Sequence, residues 1–439
     1  MNTAAKLPLS SANISDWSRR IMPLRRQADV TNEWLRKRLQ TVLPQVMRRA
    51  GIDMWIVASR EYNEDPVLMS LLPAPMMSAR RRTVLVFHAP PEGSFEAMAI
   101  ANAGIGLDGY YQAKWVKDQM AQAEETQESC LRRVVSDRNP KRIGINFSQE
   151  TAFGDGLSST DLEWLTEALG TDLMNRTTSA SGVAVGWLEQ RLPEEIETAN
   201  GINQIAHGII GEAFSSRIVH PGVSTAADVA WWMRQRVNEL GLSCWFHPTV
   251  SVQRSGVSLE EISSDANVVI RHGDLLHCDF GLHYLGLATD TQQNAYVLRL
   301  GEQQAPAGIV RAQARANVQQ DLLAQQMRAG RSGNEILQGT LAAMKAEAMV
   351  GRIYSHPIGY HGHGAGPMIG RYDLQDDLPG AGEFKLHDDT MFSFEMYVDE
   401  RVAEWDDQLV RFKTEQIAAF TGGQIEYLGG RQTELHLIQ

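Results

Sequence analysis

The chain has 439 residues and a formal net charge of −12, with 43% hydrophobic and 21% charged residues. That length asks for more than one domain. The composition is globular, and the acidic balance excludes a general nucleic-acid binder, whose phosphate contacts need a basic field. No apolar run approaches the roughly 20 residues that span a bilayer, so no membrane role is expected. Three cysteines, Cys130, Cys244 and Cys278, are odd in number and far apart. They argue against a disulfide framework, and with an N-terminus lacking an apolar signal core they fit the cytoplasm.

In chain order, "EWLRKRLQTVLPQVMRRAG" places Leu35, Leu39, Val42, Leu43 and Val46 on one helical face, with Gly51 as its stop. "DMWIVAS", "TVLVFHA", "FEAMAIANAG" and "RIGINFS" follow as strand candidates. This is an α/β domain, expected to cover residues 1–180 and to end in the polar stretch 173–186. From residue 194 the texture changes to long helices. Ala199, Ile202, Ala206, Ile209 and Ala213 recur at helical spacing. Thr225 and Asp228 resemble a capping box opening a helix with Val229, Trp232, Met233 and Val237. After residue 245 strands dominate, interrupted by helix at 307–349. Helices then strands, twice over, suggest a pseudo-duplicated domain over residues 181–439.

The second domain carries the chemistry. Residues 274–297 read as strand, turn, strand, with Asp279 on one face of the first and Asp290 on one face of the second. "MFSFEMYV" sets Glu395 opposite a row of apolar residues, and "LVRFKTEQIAAF" puts Arg411, Lys413 and Glu415 on one face. A carboxylate in an apolar strand is costly unless it is paired or binds a cation. Each acid taken singly fits the solvated face of a half-exposed strand. Four of them beside "SHPIGYHGHGAGP", which holds three of the twelve histidines, ask for a common cause. Oxygen donors with one imidazole suit Mn²⁺, Co²⁺, Fe²⁺ or Zn²⁺, and four carboxylates balance two divalent ions.

These residues resemble the signature of the pita-bread metallopeptidases: methionine aminopeptidases, Xaa-Pro aminopeptidases and Xaa-Pro dipeptidases. That signature is Asp, a second Asp eleven residues on, a His in an H-x-[IL]-G loop, and two later Glu residues. Asp279, Asp290, His356 in "HPIG", Glu395 and Glu415 match it in order. The preceding α/β domain is similar in size and position to that of the proline-specific branch, where it serves assembly and substrate gating. The resemblance implies an α/β (α+β) chain with a pseudo-two-fold pita-bread catalytic domain. It also implies two divalent metal ions, with manganese foremost and cobalt, zinc or iron as alternatives, and short peptide substrates with proline in second place. A homodimer or homotetramer is implied as well.

The resemblance also assigns roles. Asp279 holds one ion, His356 and Glu395 the other, and Asp290 and Glu415 bridge both. Glu395 handles the proton of the attacking water. His363, seven residues after His356, contacts substrate, and His361 is left for the rim. Lys413, where the family often has Arg, either holds Glu415 ionised or is a plain surface lysine. One departure stands out: the family has a catalytic His about 17 residues before the first Asp, where Glu261 and Ile262 stand here. His247, in "CWFHPTV", is a candidate substitute, or else a structural histidine beside proline. Two further readings remain open: a metal-free hydrolase of the same fold, as in creatinase, and a non-catalytic scaffold.

Overall fold

The computed structural model describes residues 15–101, 106–115, 125–259 and 267–439. The first sheet runs β4-β3-β2-β1-β5-β6 and uses β1 (Met54–Arg60), β2 (Arg82–His88), β3 (Glu96–Ile100), β4 (Gln112–Ala113), β5 (Ile143–Ile145) and β6 (Thr177–Ser179). β1 pairs antiparallel with β2 and parallel with β5. Successive side chains point to opposite faces of a strand. Trp55 and Val57 therefore join a core with Leu35, Leu39 and Val46, while Met54, Ile56 and Ala58 pack with Cys130, Leu131, Val134 and Leu165. Helices cover both faces, which is why β1 and β2 read as continuous apolar runs.

The first helix differs from the sequence expectation. It is two helices, Leu24–Gln40 and Val42–Ala50. Pro44 lacks an N–H and its ring would clash with the carbonyl four residues back, at Gln40. The stop at Gly51 is as expected, with a left-handed backbone at φ 64°. The polar stretch 173–186 holds β6 and the start of a buried helix, Ser181–Glu189.

The second sheet runs β12-β13-β14-β11-β8-β7. Its strands are β7 (Thr249–Gln253), β8 (Leu275–Phe280), β11 (Thr291–Val297), β12 (Gly351–Pro357), β13 (Thr390–Val402) and β14 (Gln408–Thr421). The short pair β9 (His283–Tyr284) and β10 (Leu287–Ala288) forms the turn after β8. β15 (Gln424–Tyr427) adds to β14 and β16 (His436–Ile438) to β11. Among the described residues, each half has two long helices followed by three long strands. Helices Pro193–Ala213 and Ala226–Glu239 lie against β7, β8 and β11, and helix Ala307–Gln326 lies against β13 and β14, with Gly333–Ala346 packed on it. The expected helix 307–349 is thus broken at Met327, and Ser332 restarts it with a capping box to Glu335. The two halves join where β11 pairs with β14.

The helices determine which face of this sheet is left for chemistry. Leu276, Cys278 and Phe280 share a core with Ile205, Ile209 and Met233; Phe392, Phe394, Met396 and Val398 share another with Ile309, Ala312 and Ala316. Each fully buried side chain of this kind contributes about 1.5–3 kcal/mol. With these residues on the helical side, the intervening residues of β8 and β13 must face the other way.

Candidate metal centre

Those intervening residues form a row. Asp279 on β8 is the register partner of Gln292 on β11, Gln292 of Glu415 on β14, Glu415 of Glu395 on β13, and Glu395 of Tyr354 on β12. Partners in an antiparallel ladder face the same side, and so do residues two apart on one strand. His356 joins from Tyr354, His277 from Asp279, and Asp290 from the residue before β11. Two acids come from the first half of the domain; His356 and two acids come from the second.

The histidine loop follows β12. His356 is fully buried, and its Nδ1 lies 3.0 Å from the Pro357 carbonyl. A carbonyl only accepts, so Nδ1 carries the proton and Nε2 presents its lone pair. Nε2 sits 3.7 Å from Asp290 and 3.6 Å from Glu415. His363 stands edge-on to His356 at 4.7 Å between ring centres and also meets Trp245 and Tyr354. His361 turns away, its ring 4.9 Å from that of Phe153 in the first domain. Gly362 is required by close approach: a Cβ there would lie 2.2 Å from the Trp245 ring.

Single donor atoms lie within 4.8 Å of one another in three trios: Asp279–Asp290–Glu415, His356–Glu395–Glu415 and Asp290–His356–His363. Asp279 Oδ1, Asp290 Oδ1, His356 Nε2 and Glu415 Oε2 are buried without a hydrogen-bond partner among the described residues. Buried polar atoms are almost always paired, and four orphans converging on one space fit divalent cations. The electrostatics agree. Burial first, then the charge of Glu415, holds the Asp279 and Asp290 carboxyls well above the usual range. Burial and Glu415 push Glu395 up to about 7, and burial brings Glu415 to about 7. Carboxylates that resist ionisation together in the protein alone call for positive charge from outside it.

Lys413 is half-buried, and burial lowers its pKa against the pull of Asp279 and Glu395. Its electrostatic partners are thus those two acids, and Glu415 is instead held by Ser393 Oγ at 2.6 Å. His247 is exposed; its ring packs on Trp231 and lies 3.4 Å from Arg234, both on helix Ala226–Glu239. None of these contacts leads to the carboxylates. Glu261 and Ile262 lie outside the described residues. Sequence reasoning missed Gln292 and Tyr372, which both donate to Glu395 Oε1, at 2.8 and 2.9 Å. Gln292 lies two residues beyond Asp290 and so shares its strand face, a signal that was available. Tyr372 arrives from an irregular loop and leaves no such trace.

The description of metallopeptidase family M24 matches residues 194–426. No curated protein shows a significant sequence match. Among solved structures, the fold is similar to an X-Pro aminopeptidase from Thermotoga maritima, at 14% identity and TM-score 0.60, over 90% of this chain and 99% of that one. It is similar to an Xaa-Pro dipeptidase from Bacillus anthracis, at 16% identity and TM-score 0.59, over 93% and 99%. It is also similar to a His243Ala form of aminopeptidase P from Escherichia coli, at 14% and 0.55, over 92% and 96%. With more than half of its length matched, the chain belongs to metallopeptidase family M24 and has the pita-bread fold.

Proposed function

We propose that this protein is an exopeptidase that uses two divalent ions, manganese foremost, to hydrolyse the bond before a proline in second position of a short peptide. The observation that carries the reading is the set of four buried, unpartnered donor atoms on Asp279, Asp290, His356 and Glu415, with Glu395 beside them. Asp279 would hold one ion, His356 and Glu395 the other, with Asp290 and Glu415 shared. Ions bound there supply a Lewis acid for the scissile carbonyl and an acidified water that attacks at neutral pH.

The rest falls to the chain. Glu395 takes the proton of the attacking water and passes it to the departing proline nitrogen. His363 donates an N–H to the oxygen that becomes negative. Trp245 and Tyr354, ring to ring with His363, wall the space where the peptide lies. The named activities of the similar structures support the proline preference. The reading also takes residues 1–180 as a gating and assembly domain, 181–439 as the catalytic one, a homodimer or homotetramer, and a cytoplasmic setting.

The test is a panel of Xaa-Pro dipeptides, longer Xaa-Pro peptides and Xaa-Ala counterparts, assayed on protein stripped of metal and reloaded with Mn²⁺, Co²⁺ or Zn²⁺. Hydrolysis restricted to Xaa-Pro bonds and restored by metal is expected. A chain that retains no divalent metal after reconstitution would discredit the peptidase reading, and cleavage indifferent to proline would discredit the specificity.

A further inference from the structure

We propose that Ser251, His277 and Gln292 form a hydrogen-bonded chain that, with Tyr372, determines which oxygen of Glu395 faces the metal centre. This inference rests on the reading above, that Glu395 serves that centre. His277 is a positioning residue in it, acting through Gln292.

The chain has one consistent assignment of protons. Gln292 Nε2 lies 2.8 Å from Glu395 Oε1 and 3.5 Å from Asp279 Oδ2. With ions bound both are carboxylate oxygens that only accept, so the amide must present its NH₂ to them, and its own oxygen turns the other way. That oxygen is 2.8 Å from His277 Nε2, which must therefore carry the proton. Nδ1 is then free to accept, and Ser251 Oγ stands 3.3 Å from it, on the strand residue directly opposite His277. A flipped amide would set its oxygen against two acids and its NH₂ against an N–H. His277 thus selects the amide orientation.

The consequence falls on Glu395. Its Oε1 accepts from Gln292 and, at 2.9 Å, from the Tyr372 hydroxyl. Two donors occupy the two lone-pair directions of Oε1, leaving Oε2 to face the ions and the attacking water. His277 is buried and lies two residues before Asp279 on the same strand face, so the hydrogen-bonded chain runs alongside the acids within the sheet. Partners that orient a metal-binding carboxylate in this way tune its geometry and basicity.

The test compares His277→Leu, which removes the donor, with His277→Gln, whose Nε2–H reaches the same amide oxygen. Each is loaded with Co²⁺ for visible absorption and metal stoichiometry, then assayed on an Xaa-Pro dipeptide. His277→Leu is expected to bind cobalt in wild-type ratio with shifted absorption bands. Its kcat should fall about 10- to 100-fold with KM nearly unchanged. His277→Gln should restore the bands and most of the kcat.

A wild-type spectrum and kcat in His277→Leu would overturn the proposal, as would equal impairment of both variants, which marks the ring as packing only. If His277→Leu fails to fold, Tyr372→Phe reads the same oxygen from the open end, and unshifted cobalt bands there would also overturn it. A wild-type cobalt protein that cleaves no Xaa-Pro peptide while His277→Leu still shifts the bands sinks the peptidase reading and leaves the chain intact.

Discussion

Glu395 and Glu415 are direct register partners on neighbouring antiparallel strands, both buried, with their side chains on the same face. Like charges so placed destabilise a sheet. The carboxyl pKa of Glu415, about 7, lies above its unfolded value, so the fold favours the protonated form. The contribution is therefore present at acid pH and lost as pH rises through about 7. In metal-free protein, Glu415→Gln is expected to be more stable than wild type by about 1–3 kcal/mol at pH 8 and little different at pH 4.5. Gln can still accept from Ser393. Mn²⁺ should raise the Tm of wild type and leave that of the variant nearly unmoved. Urea melts at the two pH values check this; a variant no more stable than wild type at pH 8 contradicts it.

His356 and His363 touch each other and are expected to respond differently. His356→Ala removes a buried lone pair aimed at Asp290 and Glu415, and should cut metal content and turnover together. His363→Ala removes an exposed ring against Trp245, and should lower kcat at least tenfold with metal content nearly unchanged. Elemental analysis beside kinetics separates them. Equal metal loss in both would make His363 a metal donor.

Arg38 is fully buried and ties helix Leu24–Gln40 to residues 187–195, pairing with Glu195 at 2.8 Å and donating to the carbonyls of Trp187 and Gln190. Its guanidinium also lies over Tyr360 in the histidine loop. Arg38→Ala leaves two buried carbonyls without that donor and Glu195 with Arg191 and the Leu192 N–H as its remaining partners, and should cost about 3–5 kcal/mol. Chemical denaturation reads this directly. A loss below 1 kcal/mol would mean that helix Leu24–Gln40 is not held to residues 187–195 there.

His207 is buried beneath β11, with burial first and the charge of His436 second lowering its pKa to about 4. Its folded value lies below the unfolded value of about 6.5, so the unfolded chain binds the extra proton between the two. Stability from this group is present above pH 6.5 and lost as pH falls toward 4. His207→Phe, which cannot take a proton, should become more stable relative to wild type by up to roughly 3 kcal/mol between pH 6.5 and 4. Taking the difference between variant and wild type cancels the other titrating groups, among them the carboxylates. A pH-independent difference would remove His207 as a source of acid lability.

Strand periodicity was enough to set Asp279 and Glu395 opposite apolar rows and Glu415 on one face with Arg411 and Lys413, because each pattern lies within one strand. What periodicity cannot supply is register between strands. That Gln292 sits between Asp279 and Glu415 depends on the pairing of β11 with β14 across more than a hundred residues, whereas Gln292 meets His277 through the register of the neighbouring strands β8 and β11. The break at Pro44 and the restart at Ser332 with Glu335 were local signals, outweighed by the apolar pattern running across them. His356 was distinguished from His361 and His363 by spacing shared with a family. Its physical reason, an Nδ1 tied to the Pro357 carbonyl, exists only once the loop has folded.

Anomalous diffraction at the manganese edge from crystals equilibrated with Mn²⁺ tests the central claim most directly. Two peaks are expected in the cleft, each within coordination distance of its share of Asp279, Asp290, His356, Glu395 and Glu415, with Asp290 and Glu415 touching both. A cleft without peaks, or manganese bound elsewhere while these side chains stay uncoordinated, would contradict the account.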